Sequence, residues 1–172
     1  VNYIYGTWQV LRGLRAIGVD MRQPWLLRAR DWLESVQRAD GGWGERCNTY
    51  NDPVFKGQGP STASQTAWAV MGLCTFGDPE RPALKRGIEY LVRTQNADGS
   101  WSEDETTGTG FPKVFYLKYD MYRNNWPLLA LATYQKIRAN PARDETLRQS
   151  DREPVGSGQA VSAAAAPTVA MS

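Results

Sequence analysis

An all-α fold of the α/α-toroid type is what this sequence predicts. Three observations carry it: a residue pattern repeated at a fixed interval, helical segments that alternate between apolar and amphipathic, and the same turn after each amphipathic segment. The first copy of the pattern runs Arg28, Ala29, Trp32, Leu33, Gln37, Gly41, Trp43, and the second runs Arg86, Gly87, Tyr90, Leu91, Gln95, Gly99, Trp101, every pair 58 residues apart. A period of this size marks a stacked or toroidal array in which each unit buries a face against its neighbours.

Each unit has a physical logic. An aromatic-aliphatic pair, Trp32-Leu33 or Tyr90-Leu91, lies four or five residues before a Gln that ends the helical stretch, and "RADGGW" or "NADGSW" follows. The Asp-Gly step lets the chain reverse through a positive φ, which Gly tolerates without steric cost. The reversal returns Trp43 or Trp101 towards its own helix, where indole covers a helix end and the Gln amide bonds local backbone. The unit thus reads as a clamp tying one helix to the next loop. Tryptophans presented for sugar stacking are the rival reading, disfavoured because one Gln is the conserved polar partner within the two copies and the carboxylates vary.

A second repeated element precedes each clamp. "TWQVLRGLRAIG" (Thr7 to Gly18) aligns with "TAWAVMGLCTFG" (Thr66 to Gly77) at an offset of 59, and a weaker third copy, "WPLLALATY", begins at Trp126. These segments are apolar nearly all round, as helices buried on both sides are, whereas the clamp helices carry Arg28, Arg30, Asp31, Glu34 and Arg38 for solvent. Alternating buried and half-buried helices imply an inner ring wrapped by an outer one. Helices are expected at about 2–18, 24–38, 62–77, 81–95 and 122–138.

The chain opens without Met inside a helical pattern and supplies two helix pairs and a partial third, too few to close a ring. The expectation is the end of a longer polypeptide, with residues 1–140 as the helical domain. From Pro141 the hydrophobic period is lost, and the Ala- and Ser-rich residues 141–172 read as a disordered tail.

Twenty basic and 18 acidic side chains nearly balance without a basic run, so nucleic acid is not an expected partner. The Glu103, Asp104, Glu105 cluster is expected to be solvated surface. Cys47 and Cys74 lack metal-ligand spacing, which fits a reducing compartment. His is absent, which sets aside a zinc site of the usual kind and a Ser-His-Asp triad. No metal is expected.

What remains for chemistry is aromatic. "GTGFPKVFYLKYDMYRNNWPLLAL" from Gly108 places Phe111, Phe115, Tyr116, Tyr119, Tyr122 and Trp126 within sixteen residues. Its Gly and Pro argue for a loop that shapes a wall. Core filling is the plain alternative. Ring faces carry negative quadrupole density, and a dry wall of them stabilises a cation without offering a lone pair to alkylate.

With "NYIYGT" at Asn2 to Thr7, "STASQTAWAVMGL" at Ser61 to Leu73, "GTGFPKVFYLKYDMYR" at Gly108 to Arg123 and the two Gln-Trp repeats, the chain resembles the C-terminal part of bacterial squalene-hopene cyclases, class II triterpene cyclases. The resemblance covers about four fifths of the chain. It implies part of an α6/α6 barrel of the terpenoid cyclase type, in a cofactor-free enzyme that converts squalene to hopene and hopanol. It further implies a monotopic enzyme on the cytoplasmic side of the bacterial membrane, and it allows a homodimer. Phe111, Phe115, Leu117, Tyr119 and Tyr122 match the family's cavity-lining positions: Phe115 is implied to face mid-sequence and later cations, Phe111 the later ones, Leu117 to set the width, and the two tyrosines to shape the wall. Tyr5 matches a tyrosine implied to join the proton donor's hydrogen-bond network; a buried helix tyrosine is the alternative. The family's Asp-x-Asp-Asp acid motif does not occur between Val1 and Ser172. Readings from other classes are a protein prenyltransferase-like barrel, which needs zinc ligands the chain lacks, a glycan-processing toroid, and a non-catalytic α/α interaction module.

Overall fold

A computed structural model describes residues 2–139, and the expected tail at 141–172 lies outside them. Five helices account for most of the chain: α1 (Asn2–Ala16), α2 (Pro24–Ser35), α3 (Ala63–Cys74), α4 (Pro82–Arg93) and α5 (Tyr122–Ala139). All five expected helices are present, with C-terminal ends up to three residues short in the first four. For α2 and α4 the reason is local. Gln37 and Gln95, read as the last helical residues, have left the helix and bond the turn that follows.

Proline at the first turn of α2 and of α4 presets φ where no N–H is required. Thr62 caps α3, its hydroxyl accepting from the Gln65 N–H at 3.3 Å. Helix α3 is the axis of the fold: every residue from Ala63 to Cys74 is buried. Helices α1 and α5 pack on either side of it, and α2 and α4 lie outside this inner row. The result is an arc of two layers.

One expectation needs correction. The inner helices were expected to be buried on both sides, and only α3 is. Helix α1 buries Ile4, Trp8 and Leu11 and exposes Val10, while α5 buries Pro127, Ala130 and Tyr134 and exposes Leu128. A helix at the end of the arc has a neighbour on one side only.

The clamps form as the residue chemistry requires. Gly41 and Gly99 sit at φ +90° and +85°. Trp43 donates its indole N–H to the Leu33 carbonyl at the end of α2 (2.7 Å), and Trp101 donates to the Leu91 carbonyl at the end of α4 (2.9 Å). Both rings are buried. Gln37 donates to Gly41 O at 2.8 Å and also to Ala83 O at 2.9 Å, while Arg86 donates to the Gln37 amide oxygen. The first clamp therefore joins successive outer helices as well as a helix and its own loop.

Candidate active site

Each inner helix contributes one indole to a shared aromatic cluster. Trp8 stacks on Trp68 with centroids 6.1 Å apart, and Trp126 meets Trp8 edge to face at 5.0 Å. Tyr5 packs edge-on against Trp68 at 5.0 Å, Tyr122 against Trp68 at 5.9 Å, and Tyr119 lies 4.8 Å from Tyr122. Three of the expected site residues, Tyr5, Tyr122 and Tyr119, thus belong to one chain of ring contacts. Such contacts contribute about 0.5–1.5 kcal/mol each beyond area burial.

The segment from Gly108 is not the loop its Gly and Pro suggested. Strands β1 (Gly108–Phe111) and β2 (Phe115–Leu117) pair antiparallel, Gly108 opposite Leu117 and Phe111 opposite Phe115. The glycines work by making room for rings. A methyl group added at Gly108 would lie 2.5 Å from the Tyr119 ring, and one at Gly110 would lie 2.0 Å from the Phe115 ring. Lys113 closes the reversal at φ +67°, its N–H donating to the Tyr116 hydroxyl at 3.2 Å.

Phe111 and Phe115 meet edge to face at 5.7 Å. They are 64% and 44% exposed, so neither fills the core of the described residues. Tyr119 is exposed too, and Leu117, Tyr122 and Tyr5 are half-buried. Tyr119 joins the two groups, touching Gly108 of the hairpin and Tyr122 of α5. The six residues fall into two groups: Tyr5, Tyr119 and Tyr122 are linked by ring contacts through Trp68, while Phe111 and Phe115 form an exposed pair on the hairpin that also carries the half-buried Leu117.

Burial raises the Tyr122 phenol pKa, with the neighbouring Tyr5 and Tyr119 adding to the shift. Tyr122 therefore stays neutral at ordinary pH, its ring packed among Trp68, Tyr119 and Trp126. The Tyr5 hydroxyl accepts from Gln9 Nε2 at 3.0 Å, leaving its own proton to donate.

Residues beyond the expected set also shape this region. Tyr116 stacks on Tyr50 at 5.9 Å, which ties the hairpin to the short 3-10 turn Cys47–Tyr50. Glu103, expected in solvent, is buried and accepts from the Ser64 N–H (2.9 Å) and hydroxyl (2.6 Å) at the start of α3. Glu45 is buried likewise and accepts from the N–H groups of Tyr3 (3.3 Å) and Ile4 (3.2 Å) at the start of α1. These carboxylates cap the N-termini of inner helices, where dipole and orphan N–H groups favour an anion. The signal was present in the sequence: the 58-residue offset that relates the tryptophans also relates Glu45 to Glu103.

Glu103 supplies a test. Burial raises its pKa, opposed by the Ser64 hydrogen bonds and by the charges of Lys118 and Arg123. Because the folded value exceeds the unfolded one, the stability gained from its proton is full below the unfolded pKa and is lost as pH rises through the folded value. The Tm difference between wild type and Glu103→Gln should therefore favour wild type more at about pH 4 than at about pH 7. A difference constant across that range would mean that this carboxyl is not perturbed by burial. Glu103→Ala should cost about 1–3 kcal/mol at either pH by leaving buried donors unpaired.

Comparison with known proteins bears on all of this geometry. The family model for the squalene-hopene cyclase C-terminal domain matches residues 1–136. The chain is 53% identical over 136 residues to the squalene-hopene cyclase of Alicyclobacillus acidocaldarius, covering 79% of this chain and 22% of that protein. A probable squalene-hopene cyclase of Sinorhizobium fredii is 49% identical over 140 residues, covering 81% and 22%. A dammaradiene synthase of Dryopteris crassirhizoma is 45% identical over 149 residues, covering 78% and 22%. The chain thus spans about a fifth of the length of these relatives. The match takes in both clamps, the three inner helices up to residue 136, and the aromatic hairpin between them. The chain belongs to the squalene-hopene cyclase family, whose C-terminal domain model it matches over residues 1–136.

Proposed function

We propose that this chain forms part of the cavity wall of a triterpene cyclase that folds squalene and carries it through successive carbocations to hopene or hopanol. The observation that carries the reading is the two groups of rings, Tyr5, Tyr122 and Tyr119 linked through Trp68 and the exposed Phe111–Phe115 pair, with Tyr119 lying against Gly108 of the same hairpin. A carbocation beside such faces is stabilised by about 0.5–2 kcal/mol per ring, more where water is excluded. The rings offer no strong nucleophile to trap it. Tyr5, with its proton free to donate, serves the hydrogen-bond network of the acid that starts the reaction. Residues 1–172 contain no Asp-x-Asp-Asp run, so this reading assigns that acid to a portion of the parent enzyme outside them. Family membership leaves the product open, since relatives are named for hopene and for dammaradiene alike. The substrate is a linear polyprenoid taken from a membrane surface. No helix among the described residues is long and apolar enough to cross a membrane, so contact with lipid would be peripheral here.

A chimaera tests the proposal: residues 1–136 replace the matching segment of the Alicyclobacillus relative, and the protein is incubated with detergent-solubilised squalene. Gas chromatography should show polycyclic triterpenes, whereas the 172-residue chain alone should yield none. A folded chimaera that binds squalene but forms no ring would overturn the reading.

A further inference from the structure

Helix α1 has an inner-helix neighbour on one side only, yet it carries Tyr5, whose hydroxyl has to be held in place to serve an acid. A polar join fixes the helix at each end. Near its C-terminus Arg15 Nη1 donates to the Thr75 carbonyl (2.6 Å), just past the end of α3. At its N-terminus the Glu45 carboxylate accepts the main-chain N–H of Tyr3 on one oxygen (3.3 Å) and that of Ile4 on the other (3.2 Å), the two residues directly before Tyr5.

Glu45 is itself set by α3. Its N–H donates to Gln65 Oε1 (2.8 Å) and its carbonyl accepts from Gln65 Nε2 (3.1 Å), with both residues 1% exposed. A side-chain amide that pairs with both main-chain groups of one residue leaves that residue little room to slide or turn. Gln65 lies about one helical turn before Trp68, and the Trp68 ring meets the Tyr5 ring edge to face at 5.0 Å. Helix α3 thus fixes Tyr5 twice, by its ring through Trp68 and by its main chain through Gln65 and Glu45.

The second unit shows what differs here. The offset of 59 between inner helices carries Tyr5 to Ser64, and the offset of 58 carries Glu45 to Glu103. Glu103 accepts from both the N–H and the hydroxyl of Ser64, so that cap engages the side chain at the matching position. Glu45 instead meets main chain one and two residues earlier, while the Tyr5 hydroxyl bonds Gln9.

We infer that Glu45 is a positioning residue for Tyr5, an inference that rests on the reading of Tyr5 as part of the acid's hydrogen-bond network. The carboxylate touches no substrate. It sets the direction and depth of the first turn of α1, and with them the place of the phenol hydroxyl. Losing it strips two N–H groups of their acceptor and slackens that turn, and a misplacement on the order of 1 Å is enough to cost about a hundredfold in rate.

A pair of substrates separates support of the acid from the shape of the cavity. Protonating an alkene carbon demands a stronger acid than protonating an epoxide oxygen, so a weakened acid network slows squalene more than its terminal epoxide. In the chimaera, Glu45→Ala should lower kcat on squalene about tenfold or more with KM unchanged, and on the epoxide less than about threefold. Tyr5→Phe should show the same bias, and the double variant should add little to either. Glu45→Gln keeps one acceptor oxygen and should fall between, so it serves even if Glu45→Ala fails to fold. Trp101→Phe, which loses the indole bond of the other clamp, should lower Tm and leave the ratio of the two substrates unchanged. In the 172-residue chain, a fluorotyrosine placed at position 5 should give one fluorine NMR line that shifts or broadens in both Glu45 variants. An unchanged line, or equal losses on both substrates in the Glu45 variants, overturns the inference. A biased Tyr5→Phe beside unbiased Glu45 variants overturns it while the reading of Tyr5 stands; an unbiased Tyr5→Phe overturns both.

Discussion

Trp43→Ala should be the most damaging single substitution in this chain, costing about 3–5 kcal/mol of folding free energy. That is a large share of the roughly 5–15 kcal/mol by which a domain is ordinarily stable. The ring is fully buried and closes the gap between α3 and α4, its N–H satisfies the end of α2, and its main-chain N–H is tied to Thr66. Removing it opens a cavity where three helices meet and frees the Leu33 carbonyl. Trp43→Phe keeps most of the packing and loses the indole bond, so its cost should be lower, about 1–3 kcal/mol. A double-mutant cycle localises the effect. Gly87→Ala alone should cost about 1–3 kcal/mol by overpacking against the indole, and nearly nothing in the Trp43→Ala background, where the added methyl has room. Denaturant midpoints measure all of these, and a Trp43→Ala chain within 1 kcal/mol of wild type would show that the clamp is not structural.

The clamps were legible because their chemistry is local. Gln, Asp-Gly and Trp lie within seven residues of one another, and the 58-residue period sets a second copy beside the first for comparison. What reached further was hidden. The Gln37 bond to Ala83 and the Glu103 caps at Ser64 join residues 46 and 39 apart, and the only trace of either in the sequence is the 58-residue offset that relates Glu45 to Glu103. Glu103 looked like surface because it sits among Asp104 and Glu105, yet the start of α3 draws that one carboxylate inward. The hairpin was missed because glycines at 108 and 110 argue against regular structure on propensity alone. Their value here is steric: each leaves the space that a facing ring occupies. The candidate site residues were legible as an aromatic run, but their division into a packed group around Tyr122 and an exposed pair at the hairpin depends on register, which residue identity does not disclose.

That division separates folding from chemistry at Phe115. Its ring is half in solvent and touches Phe111, so Phe115→Ala should change the stability of this chain by no more than about 0.5 kcal/mol. In the chimaera the same substitution should change the products. If the ring faces a mid-sequence carbocation, its loss removes about 0.5–2 kcal/mol of stabilisation, more if the cavity is dry, and each 1.4 kcal/mol is a tenfold change in the ratio of competing rates. Ring closure then slows against proton loss from the stranded cation, and products with fewer rings than the parent's accumulate while conversion continues. Phe115→Tyr and Phe115→Trp retain a π face and should largely restore full closure where the cavity admits the larger ring. Product profiles by gas chromatography, read beside the Tm of each variant, distinguish the two roles. A Phe115→Ala chimaera that makes the unchanged product at the unchanged rate would remove this ring from the wall.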